Sequence, residues 1–152
     1  MLVHIAGEQR TVAIDFRETA PALSSPDMFF GSDGEVDNTE DRSTQKSSAM
    51  PGTIAGLDHI LRRYGTMEWA DLVEPALRLA REGFPVTEDL ANNLRVSKSR
   101  LMMNPVAASI FYKPDGQEYE VGEIFQQPQL AWTLDQLKTH GAETFYQGEI
   151  AK

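Results

Sequence analysis

One arginine in this sequence stands where it could do chemistry. Arg17 closes a strand-like run and sits between two acids, in the segment Ile14-Asp15-Phe16-Arg17-Glu18-Thr19-Ala20-Pro21. A guanidinium is planar and permanently charged, and it holds a carboxylate through two parallel hydrogen bonds. At a strand end, with an acid on either side, it is aimed to grip a carboxylate. The plain alternative is a solvated surface charge, the usual fate of an arginine after a strand. Nothing else in the chain competes with it, and no residue is singled out as catalytic. There is no Gly-x-Ser-x-Gly elbow and no phosphate-cradling glycine-rich loop. His4, His59 and His140 lack the helical pairing with a carboxylate that a zinc site needs, so no metal is expected. His140 falls at a helix C-terminus, where a cation favours the dipole. The acid-rich stretch from Asp33 to Asp41 lacks the spacing of a calcium loop and is taken as solvated. Trp69 and Trp132 fall on helical stripes and point to core packing rather than ligand stacking.

Composition sets the class. The 152 residues correspond to one domain by length, and 41% of them are hydrophobic, enough for a core with a loop-rich stretch. Acids outnumber bases by 23 to 14, giving a formal charge of -9. A phosphate backbone needs a basic face, so nucleic acid is excluded as a partner, and an anionic membrane surface is disfavoured. No run approaches the ~18 apolar residues of a membrane span. There is no cysteine, which removes disulfides, thiolate catalysis and cysteine-based metal sites.

The elements that must position Arg17 follow from pattern. Residues 1–18 give a β-hairpin, with apolar runs at 1–6 and 11–16 and Gly7 supplying the turn. A lone hairpin is marginal in water, so a larger sheet is implied. Residues 22–50 are a long polar loop, in which Phe29-Phe30 is the expected anchor. Residues 51–103 are helical. Thr53 is a candidate N-cap, followed by a stripe of Ile54, Leu57, Ile60 and Leu61 closed by Gly65. A second helix starts near Thr66 and carries Pro75, which should kink or restart it. Thr87 caps a third. Residues 104–126 are mixed, with a second small hairpin as one option across Pro114-Asp115-Gly116. Residues 128–152 return to helix, with Pro128 at a first position and Leu130, Leu134 and Leu137 as the stripe. The whole is α+β, predominantly helical with an N-terminal hairpin. Both ends have the look of cuts from something longer.

Several segments together resemble the large subunit of γ-glutamyltranspeptidases. They are the Asp15-Phe16-Arg17-Glu18 segment, Pro51-Gly52-Thr53-Ile54-Ala55-Gly56-Leu57, Tyr64-Gly65-Thr66, the run Pro75 to Phe84, and Phe145-Tyr146-Gln147-Gly148. They stand in the family's order and cover nearly the whole chain. The resemblance implies a partial large-subunit domain over 1–152, part of the αββα sandwich of an N-terminal-nucleophile hydrolase. It implies a precursor that cuts itself and frees a threonine at the start of the small subunit, where the threonine's own amine serves as base. It implies a γ-glutamyl donor such as glutathione and acyl transfer to water, amino acids or peptides. No cofactor is implied. Arg17 takes the role of binding the donor's α-carboxylate, with Asp15 and Glu18 orienting it. The nucleophile is not in this chain, so the isolated chain is expected to be inactive and to need the small subunit of the same precursor. A periplasmic or secreted location follows from the family alone. Two alternatives stand beside this one: a related glutaryl or cephalosporin-type acylase fragment, and a non-catalytic helical interaction module.

Overall fold

The computed structural model describes residues 1–37 and 44–152. The acidic stretch 33–41 and the polar loop 22–50 therefore lie partly outside the described residues. By internal packing the chain divides into two compact units, Met1–Thr66 and Met67–Lys152.

The first unit opens with strands β1 (Leu2–Ile5) and β2 (Arg10–Ala13), antiparallel with Val3 opposite Val12 and Ile5 opposite Arg10. The turn is a 3-10 turn at Ala6–Glu8, and the left-handed residue is Gln9, at φ 48°, rather than Gly7. The Gln9 side chain steadies that conformation by donating to the Ala6 carbonyl oxygen at 2.8 Å. The chain then runs extended to Thr19, which pairs with Met50 through two backbone hydrogen bonds of 3.2 and 2.8 Å. Within the loop, Phe30 bridges to Val36. Phe29 is half-buried but Phe30 is 52% exposed.

Helix α1 spans Thr53–Tyr64, and its N-cap is Gly52. Thr53 is the first helical residue, so its hydroxyl does not cap. The inner face centres on Gly56, the buried residue of the helix, while Leu57 turns outward at 38% exposure.

In the second unit, α2 (Trp69–Glu82) packs on α5 (Pro128–His140). Leu77 and Ala80 meet Ala131, with Leu134 against them. The stripe of α5 is thus Ala131, Leu134 and Leu137. Leu130 and Trp132, each one position off that row, are exposed, contrary to the core role expected of both. Helix α2 starts after Glu68, later than Thr66, and runs through Pro75 without restarting. The Trp69 indole donates to the Leu137 carbonyl oxygen at 2.8 Å, and Lys138–Glu74 and Arg81–Asp135 ion pairs join the two helices.

Between them lie β3 (Phe84–Pro85), α3 (Glu88–Leu101), α4 (Pro105–Phe111) and β4 (Ile124–Phe125), with α6 (Glu143–Gln147) at the end. The Thr87 hydroxyl accepts from Leu90 N at the start of α3. The expected hairpin across Pro114-Asp115-Gly116 is absent. Asn104 caps Val106 and Ala107 and Pro105 takes the first position, so Ile110 and Phe111 complete a helix. β4 pairs instead with β3, Phe84 opposite Phe125.

Candidate functional site

Arg17 occupies the extended segment between β2 and the Thr19–Met50 bridge. Asp15 Oδ1 accepts the Arg17 backbone N–H at 3.0 Å, a side-chain turn that sets the local backbone. The Arg17 Nε donates to Glu18 Oε1 at 2.9 Å. Among the described residues this is the guanidinium's hydrogen-bonding contact, and the side chain is 82% exposed. With Nε engaged by Glu18, the fork of the two Nη groups is the edge offered to a second carboxylate.

Arg17 borders an open cleft of about 650 Å³, lined also by Met1, Asp15, Glu18, Ser47, Pro51 and Thr53. The Thr19–Met50 pairing explains how residues so far apart in sequence meet. It brings the start of α1 alongside the end of the hairpin. Among the described residues that line the cleft, Arg17 is the one with a cationic side chain. The arrangement can bind an anion in a defined orientation.

The sequence reading overlooked two glycines that face this segment, Gly52 in the lining of the cleft and Gly56 one turn further along α1. Built onto Gly52, a Cβ would overlap the Phe16 carbonyl oxygen and stand 2.8 Å from that of Arg17. Built onto Gly56, it would overlap the Phe16 ring at Cγ and stand 2.6 Å from Cδ1. The signal was present: glycines four apart lie on one helix face.

Elsewhere the chain offers less. His4 Nδ1 meets Thr11 Oγ1 at 3.0 Å, and His59 and His140 are exposed. Among the described residues no three histidine, cysteine or acidic side chains gather as a metal site, and no helix is long and apolar enough to cross a membrane. A second cleft, of about 800 Å³ in the second unit, is lined by residues such as Phe111, Tyr119, Ile124 and Leu130 and carries no charged side chain.

A family model described as gamma-glutamyltranspeptidase matches residues 1–152. The chain is 37% identical over 142 residues to a glutathione hydrolase proenzyme of Escherichia coli, covering 93% of this chain and 24% of that one. It is similar to the crystal structure of Helicobacter pylori gamma-glutamyltranspeptidase, at a TM-score of 0.95 and 34% identity over 99% of this chain and 43% of that one. The Pseudomonas nitroreducens gamma-glutamyltranspeptidase complexed with L-DON matches at a TM-score of 0.87 and 28% identity, again over 99% of this chain and 43% of that one. The chain therefore spans about a quarter of the length of the Escherichia coli relative, 24%, while the family pattern runs through all of it. The family match covers the whole chain, and the chain belongs to the γ-glutamyltranspeptidase family.

Proposed function

We propose that this chain is the part of a γ-glutamyl-transferring or glutathione-hydrolysing enzyme that holds the donor. Arg17 binds the α-carboxylate of the γ-glutamyl group through its two Nη nitrogens. The donor's γ-carbonyl is then presented to a threonine in another segment of the polypeptide, the small subunit. That threonine's hydroxyl attacks the amide carbonyl, its α-amine takes the proton and passes it to the amine that departs as the C–N bond breaks, and water or an amino acid then releases the acyl group from the threonine ester. The observation that carries this reading is the Nε–Glu18 pairing at the edge of the cleft, which leaves the guanidinium fork for a ligand. Exposed Leu72, Leu79, Val96, Met103 and Val106 are apolar surface of the kind further polypeptide covers, and support an assembly with the remaining segments. The chain by itself gives no turnover. The assembled enzyme works in the periplasm or outside the cell.

The test is co-expression with the complementary segments of the family polypeptide and an assay of release from a γ-glutamyl anilide. Arg17→Ala raises KM by an amount equivalent to about 2 kcal/mol, the scale for losing a charge-paired contact. Unchanged kinetics would remove Arg17 from the site. A glutaryl anilide run in parallel separates a γ-glutamyl enzyme from an acylase, since it keeps the carboxylate and lacks the α-amine.

A further inference from the structure

At Gly52 the start of α1 lies against the backbone that carries Arg17 with no side chain between them. Gly52 faces the carbonyl oxygens of Phe16 and Arg17, and Gly56 faces the Phe16 ring. Neither position needs glycine for its own conformation. Gly52 has φ -96° in the right-handed helical region, and Gly56 lies inside the helix. At Gly56, inside the helix, alanine is the better helix former by up to ~1 kcal/mol, whereas at Gly52, the N-cap, glycine is itself the better residue. Glycine at 56 therefore stands against local preference, and at both positions an added Cβ would overlap Phe16. We propose that Gly52 and Gly56 are positioning residues for Arg17: they let α1 close onto the Phe16–Arg17 backbone and so fix the point from which the guanidinium reaches the cleft. The inference rests on the reading of Arg17 as the donor's carboxylate grip.

Three contacts act on this short stretch in different directions. Asp15 Oδ1 holds the Arg17 amide, the Thr19–Met50 pair holds the chain two residues on, and the glycines hold Phe16 from the side. With the backbone located in this way, the freedom left to Arg17 is that of its exposed side chain. A methyl at Gly52 must push the helix or the Phe16–Arg17 backbone aside, because the opposing atoms are main chain, and a methyl at Gly56 must displace the helix or the Phe16 side chain. A displacement of about 1 Å in a substrate-positioning group costs up to ~100-fold in rate.

The experiment uses the full family polypeptide carrying this segment, with Gly52→Ala, Gly56→Ala and, as a control, Gly7→Ala, whose added methyl meets nothing within 4 Å. Kinetics are taken with a γ-glutamyl anilide, and folding is followed by circular dichroism. The glycine variants raise KM about tenfold or more with kcat little changed, as expected for a misplaced binding group. Phe16→Leu in the Gly56→Ala background recovers part of the loss, and Gly7→Ala behaves as the parent. If Gly56→Ala does not accumulate as folded protein, Phe16→Leu alone, which loosens the same contact without adding volume, raises KM in the same sense. A folded Gly52→Ala or Gly56→Ala enzyme with the parent's KM overturns the proposal, provided Arg17→Ala in the same background raises KM. If Arg17→Ala also leaves KM unchanged, the reading of Arg17 itself has failed and this inference goes with it.

Discussion

The Tyr112 hydroxyl donates a 2.6 Å hydrogen bond to the Leu94 carbonyl oxygen, buried, and so ties the end of α4 to the middle of α3. The ring is 2% exposed. Tyr112→Phe removes the donor and leaves a buried carbonyl short of a partner, at a cost of about 1 kcal/mol. A lowered urea midpoint with an unchanged slope is the expected result. Burial, and after it the nearby Glu118, push the Tyr112 hydroxyl above its ordinary value of 10.0. The folded state thus favours the neutral form. Its contribution is complete below the unfolded value and is lost as pH rises through the folded one. Denaturation of the parent should sensitise to alkali in that range, and Tyr112→Phe should flatten the profile.

Arg17→Lys separates charge from geometry. Lysine keeps the positive charge but lacks the planar fork, and it cannot pair with Glu18 through an Nε while presenting two further donors to a ligand. Its KM for a γ-glutamyl anilide should fall between those of the parent and Arg17→Ala. A lysine enzyme equal to the parent would show that the charge alone suffices.

Leu77 is 1% exposed and sits in the contact of α2 with α5, against Ala80 and Ala131. Leu77→Ala opens a cavity among residues already small, which have little means of collapsing into it. A loss of about 3 kcal/mol is expected, read from chemical denaturation.

Acid should loosen the second unit through its ion pairs. Lys138 holds Glu74, and Lys113 together with the Glu120 backbone N–H holds Glu123, each below the ordinary carboxylate value of 4.5. A depressed folded value means stability that is present above the unfolded value and lost as pH falls through the folded one. Melting temperature should therefore drop as pH is lowered past 4.5, the ordinary value for these carboxylates. Lys138→Met and Lys113→Met should reduce that dependence. These pairs are exposed enough that added salt should weaken them too.

The helices were legible wherever cap and stripe agreed. Thr87 before Glu88 and the Gly83 stop are local signals, and the structure uses both. Inner faces were harder to read. Trp132 and Leu130 look like core by type, yet the facing helix selects Ala131, because small residues let α2 approach and large ones are turned out. Phe84–Pro85 with Ile124–Phe125 was invisible for a different reason: two-residue strands far apart in sequence carry no periodicity. The site divided in the same way. Arg17 stood out by its chemistry and setting, and its role as a grip is the proposal made above. The supports proposed for it, Gly52 and Gly56, were missed because a close approach is a tertiary fact, written in the sequence only as two residues lacking a side chain.

The Thr19–Met50 bridge carries one more consequence. It pins both borders of residues 20–49 within hydrogen-bonding distance of each other, directly beside the guanidinium's anchorage. The entropy of closing such a stretch grows only with the logarithm of its length, about 0.6 kcal/mol for each doubling. A change of length between the two borders should therefore be absorbed beyond the bridge, with the Arg17 backbone left in place.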